Sequence, residues 1–488
     1  MRWPSVRQSL CAVLAIAFLV RLMTLGLYPL TDTTEARYGE MARKMLETGQ
    51  WIVPQIDYGV PFWGKPPLSF WLTAIAYKLM GVTEFAARLP SLLLGVLICG
   101  LTYVIASRRH DVEHGLRASV VVATCLLVMV SAGGVMTDPV MASGTTLAMV
   151  ACWLALIGRS RRWGYLFFVG LAIGLLAKGP VASVLTLVPI VLWAALTGRI
   201  RKLRDRLPWG WGLLLTALLV LPWYWAAERQ TPGFLHYFLV GEHWYRFTVS
   251  GWKGDLYGAA HAYPRGTIWL YALVGTLPWS AWLIWQLLRS RATFTIMPLR
   301  ASDGWQLYLL CWMLTPAVFF TMAGNILPTY VLPGVVGFAL LTADAWRQQL
   351  SHTRALAPDG LGLVSPALGL LTILMIWPHA GFKSQRELMT AFRQDLRHDV
   401  DLIYFPQRPY SAEFYSAGEA IEVRDVDALQ RYLDRKPLCY VVMRKQEFAQ
   451  LPAQLRARLW VVDTPGKRDY LLLRKTAAST RVGDPTSS

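Results

Sequence analysis

Apolar stretches recur along almost the whole of this chain, at 8–27, 89–107, 118–136, 139–157, 163–177, 181–198, 210–227, 266–288, 305–322, 329–345 and 361–378. A helix of about 17–25 apolar residues crosses the hydrocarbon core of a bilayer, and a lipid-immersed backbone must satisfy its own hydrogen bonds. The pattern predicts an α-helical polytopic membrane protein of about eleven or more spans. Composition agrees: 55% of the 488 residues are hydrophobic, 22 are Trp, and 16% are charged, against about 25% in an ordinary soluble domain. Arg2 and Arg7 precede the first run, but no small-residue cleavage site follows Leu27, so that run reads as a retained helix and not a signal peptide. The net charge of +18 is spread through loops between apolar runs, which argues for membrane topology and against nucleic acid. Cys11, Cys99, Cys125, Cys152 and Cys311 fall in apolar runs and Cys439 stands alone after them, which leaves neither a disulfide framework nor a cysteine metal site.

The positive-inside bias sets orientation. With a cytosolic N-terminus, the inner segments hold basic groups such as Arg108, Arg109, Arg117, Arg161, Arg162, Arg199, Arg201, Lys202 and Arg204. The outer loops hold fewer in more residues, and comprise 28–88, 133–138, 178–180, 228–265 and 323–328. That places residues 1–378 in the membrane part and the chain after Pro378 outside. There, LIYF at 402–405, LCYVVM at 438–443, LWVV at 459–462 and YLLL at 470–473 alternate with helical stretches, so 379–475 reads as a small extracytoplasmic α/β domain. The tail 476–488, rich in Ser, Thr and Gly, reads as disordered.

The outer loops carry the unusual polar residues. Residues 34–48 suit a surface helix stopped by Gly49, with Tyr38, Met41 and Met45 on one face. Asp32 and Glu35 at its head form either a capping-box variant or, beside Arg37, a functional carboxylate pair. Pro66 and Pro67 fix an extended entry into a short aromatic-rich helix and hold Lys65 at the interface beside Phe62 and Trp63. Such a lysine either snorkels or holds the phosphate of a lipid. Asp138 before Pro139 is a normal helix start that also suits a catalytic carboxylate. Lys178, in a very short turn between two spans, is a charge held at membrane depth and hence a functional candidate. Glu242, His243 and Arg246 are expected to share one helical face, with His261 further on. No HExxH or other tight ligand spacing accompanies them, so no metal ligand is assigned and a divalent metal is the minority reading. Tyr330, taken alone, is an aromatic-belt residue.

The strings TEARYGEMARKML, GKPPLSFWL, MTDP, LLAKGPVA, GEHWYRF and LPTYVLP, in this order over residues 1 to about 350, resemble the GT-C superfamily of membrane glycosyltransferases. The branch most similar contains the lipid A aminoarabinose transferases (the ArnT family) and relatives of protein O-mannosyltransferases. The resemblance implies a polyprenyl-phosphate-linked sugar donor, bound between membrane lipids and outer loops, whose phosphate is displaced by an acceptor. By motif, Lys65, Arg246 and Tyr330 would contact the donor phosphate and Arg37 would order the first loop. Asp32 or Glu35, with Asp138, would supply catalytic carboxylates. Two departures stand out: Asp32, Thr33, Thr34 and Glu35 replace an adjacent Asp-Glu pair, and Gly64 stands where many lipid A enzymes carry Glu.

Leaving-phosphate charge needs Lys or Arg in a low-dielectric setting. A hydroxyl acceptor needs a carboxylate base, whereas a lipid A phosphate is already anionic and needs groups oriented. A single displacement inverts the anomeric centre. The resemblance therefore implies transfer of 4-amino-4-deoxy-L-arabinose or another aminosugar to lipid A at the periplasmic face of a bacterial inner membrane. Transfer to protein or another envelope glycan is the alternative. A lipid-linked sugar transporter is disfavoured because no inverted repeat is evident.

Overall fold

The computed structural model describes residues 5–158, 160–258, 263–289, 303–352, 358–364, 366–367, 369–370, 383–394, 400–462 and 469–475. His261, residues 371–378 and the tail from Thr476 lie outside the described residues. The chain divides into two compact units, Met1–Tyr28 with Met41–Leu374, and Pro29–Glu40 with Met375–Ser488.

The larger unit is helical. Among the described residues, five helices are long and apolar enough to cross a membrane: Val6–Thr24, Glu84–Arg109, Asp138–Gly158, Trp209–Gln230 and Pro328–Gln348. Thr267–Gly275 and Trp279–Gln286 meet at 96° and add a sixth if that broken pair is one span. Among the described residues, the helices that meet this length are fewer than the eleven apolar runs of the sequence. Apolar content continues where the helix does not. The run 118–136 covers two helices, Val112–Ala123 and Leu126–Ser131, and the run 266–288 is interrupted at Leu277–Pro278. Pro180–Leu196 and Trp305–Thr321 have 17 residues each, about 26 Å at 1.5 Å per residue, just under the core thickness of about 30 Å.

Asp138–Gly158 sits at the centre of this unit, with 89% of its apolar window buried. It packs on Arg161–Lys178 through glycines. A Cβ on Gly144 would lie 2.8 Å from the Gly170 carbonyl oxygen, and one on Gly170 would lie 2.6 Å from the Ala148 nitrogen. Small residues are what let helices approach this closely in lipid, where the packing itself must supply the attraction. Tryptophans fill the adjoining space. Trp153 packs against Trp193, Trp305 and Tyr308, and their polar atoms find carbonyls: Trp193 Nε1 donates to Gly304 and Tyr308 Oη to Met149. Trp209–Gln230 keeps Trp211, Leu218, Leu221 and Trp225 exposed, a lipid-facing surface in a span of this composition.

In the smaller unit a five-stranded mixed sheet runs in the spatial order 421–422, 401–404, 439–444, 470–475, 459–462. Its strands are β3 Asp401–Tyr404, β4 Ile421–Glu422, β5 Cys439–Arg444, β6 Leu459–Val462 and β7 Tyr470–Lys475. The pairs β3–β4 and β3–β5 are parallel, and β7 is antiparallel to β5 and β6. Both faces are covered: Ile403, Val441 and Leu473 pack with Leu429 and Leu433, while Leu402, Tyr440 and Leu472 pack with Leu388 and Phe392. The strands β1 Gln55–Asp57 and β2 Val60–Pro61 form a hairpin in the larger unit.

Candidate active site

Within the helical unit, seven of the residues singled out in the sequence form one connected set. Lys178 ends the helix Arg161–Lys178, and Gly179, at φ 77°, turns the chain directly into Pro180–Leu196. Only glycine fits there: the backbone is left-handed, and a Cβ would meet the Phe238 ring at 2.6 Å and His243 at 3.1 Å. That turn aims the buried Lys178 ammonium at Asp138, with Nζ donating to Oδ1 at 2.5 Å. Asp138 opens the helix Asp138–Gly158 and so acts as a helix-start residue and as a counter-ion together. Nζ also lies 4.3 Å from the centroid of the Tyr330 ring, a cation–π distance.

The second half of the set centres on Glu242. Residues 237–245 form a π-helix in place of the expected α-helix, a distortion frequent at functional sites because it redirects side chains. Glu242 is buried, yet it accepts from Lys65 Nζ at 2.9 Å and from Arg246 Nη1 at 2.8 and 3.1 Å. Arg246 also faces Asp255 at 3.5 Å. Burial alone would raise the Glu242 carboxyl, but Lys65 and then Arg246 overcome it and hold it at about 2. Burial likewise opposes the charge on Arg246, and Glu242 and Asp255 outweigh it, so the guanidinium sits above its ordinary value. His243 joins the halves: Nδ1 is 2.7 Å from the Phe238 carbonyl oxygen and Nε2 3.1 Å from that of Lys178. It thus faces backbone carbonyls and not the carboxylate, unlike the shared face expected for Glu242, His243 and Arg246. Burial pushes its pKa down, and a neutral ring has one N–H, so it donates to one of those carbonyls at a time.

Asp32, Glu35 and Arg37 belong to the other unit. The helix Thr34–Thr48 starts just after Asp32, but the Asp32 carboxylate does not cap it. It accepts from the Ser411 backbone N–H at 2.9 Å and from the Ser411 hydroxyl. Burial raises its pKa despite those bonds. Glu35 makes the capping contacts, accepting from Thr31 N at 3.3 Å and Thr31 Oγ1 at 3.1 Å. Arg37 lies 5.3 Å from the Tyr38 ring centroid and 5.8 Å from that of Tyr410.

Sequence reasoning missed several of these partners. Asp255, Tyr237, which donates to Glu242 at 3.3 Å, and Tyr257, which accepts from Trp63 N at 3.0 Å, complete the Lys65 surroundings. Their shared signal is the density of Tyr and Trp in 237–257, around the single Asp255. Ser411 and Tyr410 gave no local signal. The departure at Gly64 has a steric side: a Cβ there would meet the Phe62 ring at 2.7 Å.

The family model "Dolichyl-phosphate-mannose-protein mannosyltransferase" matches residues 11–238. The undecaprenyl phosphate-alpha-4-amino-4-deoxy-L-arabinose arabinosyl transferase of Erwinia tasmaniensis is 33% identical over 365 residues, covering 73% of this chain and 62% of that protein. A Pseudomonas fluorescens enzyme of the same name is 31% identical over 387 residues, covering 75% and 66%. Over about three quarters of its length the chain is similar to these arabinosyl transferases. It spans about 62–66% of the length of these relatives in the matched region. The crystal structure of ArnT from Cupriavidus metallidurans bound to undecaprenyl phosphate shares the fold, with a TM-score of 0.72 at 19% identity over 96% of this chain and 98% of that one. Its apo state gives 0.73.

Proposed function

We propose that this chain is an inverting glycosyltransferase that moves an aminosugar, 4-amino-4-deoxy-L-arabinose or a close relative, from undecaprenyl phosphate to lipid A. The observation that carries this reading is the Lys65–Glu242–Arg246 set, a buried carboxylate between two half-buried cations, linked through His243 to Lys178 and Asp138. Charges at low dielectric are costly to keep unpaired, and two half-buried cations sharing one carboxylate suit a lipid phosphate. Arrival of the phosphate would let Lys65 and Arg246 exchange Glu242 for phosphoryl oxygens. As the bond from anomeric carbon to phosphate oxygen breaks, the same cations hold the negative charge left on the carrier. Tyr330, on the ring face of Lys178, borders this region and donates its hydroxyl to the donor phosphate in this reading.

The acceptor phosphate attacks the anomeric carbon from the opposite side, so the configuration inverts and no base is required. Asp138, fixed by Lys178, and Asp32, with Glu35 and Arg37 ordering its loop, are assigned to orient sugar and acceptor. The named relatives transfer aminoarabinose, and a fold neighbour binds undecaprenyl phosphate; both support the donor proposed here. The match to the mannosyltransferase model and Gly64 favour a second acceptor, a protein hydroxyl, as the competing case.

The topology belongs to the same proposal. The chain sits in the bacterial inner membrane with a cytosolic N-terminus, about eleven or more crossings, and residues 379–475 in the periplasm. Within the helical unit the ends of helices sort by chemistry, which supports it. Asp138, Lys178 and Tyr330 share one end, while Arg109 with Asp303 and Arg347 with Asp111 pair at ends that the charge bias assigns to the cytosol. Purified chain supplied with undecaprenyl-phosphate-linked aminosugar and lipid A is expected to yield glycosylated lipid A by mass spectrometry. Sugar appearing on envelope protein instead would replace the acceptor, and no consumption of the donor would sink the reading.

A further inference from the structure

His110, His114 and Asp344 converge at the end of the helical unit away from the lysine and arginine set, and nothing in the proposed reaction uses them. We infer that they form a site for a divalent transition metal of the zinc class, which fastens the turn after Glu84–Arg109 to the helix Leu332–His352. The inference does not rest on the sugar-transfer reading.

The ligand atoms of the three residues all lie within 4.8 Å of one another. Asp344 Oδ1 is 3.1 Å from His114 Nε2 and 3.6 Å from His110 Nε2. Two donors bound to one zinc at about 2.0–2.1 Å in tetrahedral geometry stand roughly 3.3 Å apart, so these separations fit an ion with small adjustments. A second observation points the same way. The His114 side chain is wholly buried and its Nδ1 makes no hydrogen bond, while Nε2 and Asp344 Oδ1 face each other at 3.1 Å without hydrogen-bond geometry. Buried polar atoms left in that condition normally mark a ligand or ion. The other Asp344 oxygen is held by Trp305 Nε1 at 2.9 Å, the outer-sphere bond that fixes a metal-binding carboxylate.

Neighbouring arginines do not oppose a cation here, since each has its own acid: Arg109 with Asp303, Arg347 with Asp111, and Arg117 with Glu113 at 3.2 Å. That leaves Asp344 facing the two imidazoles. Two imidazoles and a carboxylate suit zinc or a similar borderline ion rather than magnesium or calcium. His110 is partly exposed, which supplies an entry route and a side for water as fourth ligand.

The test uses the full chain in detergent, stripped with chelator, then equilibrated with Zn²⁺ or Co²⁺ and freed of excess. Wild type should retain about one equivalent of zinc by elemental analysis and show visible ligand-field absorption with cobalt. His110→Ala changes an accessible side chain and should fold as the stripped wild type does, with zinc affinity at least tenfold weaker and the cobalt bands gone. His114→Gln should do the same. Zinc should raise the melting temperature of wild type and not of His110→Ala. Equal retention by wild type and both variants, or no retention by wild type, would overturn the site and leave a buried histidine–aspartate ion pair.

Discussion

Glu242, buried in the helical unit, and Asp32, half-buried in the smaller one, are both candidate carboxylates, and their surroundings drive them in opposite directions. Glu242 has Lys65 and Arg246 within 3 Å, and they overcome burial and hold it near 2. Asp32 has the neutral donors of Ser411, which do not offset burial, and its carboxyl rises above the ordinary 3.8. Pairs of acids pushed apart by environment divide roles. In the proposed reaction the first would hold two cations until a phosphate displaced it, and the second would exchange the hydrogen bonds it now accepts from Ser411.

The largest way to break that contrast is to strand a charge. Lys178→Ala leaves Asp138 buried without its 2.5 Å partner and should destabilise the fold by about 3–5 kcal/mol, measured as thermal unfolding in detergent, with Asp138→Asn on the same background recovering much of it. An unchanged melting temperature would mean that water or lipid already compensates Asp138. Asp32→Asn keeps an acceptor for Ser411 and should leave stability nearly unchanged while slowing transfer roughly 10- to 150-fold, the value of one charge-assisted bond of about 1.5–3 kcal/mol. Glu35→Gln should instead trim the Thr31 cap and cost under about 1 kcal/mol of stability. Full activity in Asp32→Asn would remove that carboxylate from the site.

The smallest expected effect is in pH dependence. The Glu242 carboxyl lies below its ordinary 4.5 in the folded chain, so its contribution is present above that value and is lost as pH falls toward about 2. Asp32 runs the other way: its contribution is present below 3.8 and is lost as pH rises through the raised folded value. Unfolding curves of wild type and Glu242→Gln between pH 2 and 5 should therefore converge at the acid end. Parallel curves would contradict the assignment.

Much of the fold and of the site was legible in the sequence, unevenly. The surface helix at 34–48 and the strands at 402–405, 438–443, 459–462 and 470–473 nearly coincide with Thr34–Thr48, β3, β5, β6 and β7 because local periodicity specifies them. The two-residue β4 was too short to show. Continuous spans were overread, since hydropathy does not register a 96° break at Leu277–Pro278 or a helix end at Thr124. Candidate residues were legible as polar groups in apolar context, but their partners were not. Asp138 and Lys178 were each singled out without their pairing, and the partner of Asp32 lies 379 positions along the chain. Asp255 and the π-helical turn of Glu242 come from packing that no local pattern encodes.

The central claim is that Lys65 and Arg246 wait on Glu242 for a lipid phosphate, and Lys65 tests it most directly. Besides donating to the Gly64 carbonyl, its ammonium makes a charge-assisted bond at 2.9 Å to Glu242 that the donor would inherit, worth about 1.5–3 kcal/mol. Titration of undecaprenyl phosphate into purified chain in lipid nanodiscs should show Lys65→Ala binding roughly 10- to 150-fold more weakly than wild type. Lys65→Arg should fall between them, because charge survives while the ammonium geometry does not. Equal affinities for wild type and Lys65→Ala would contradict the account and place the phosphate elsewhere.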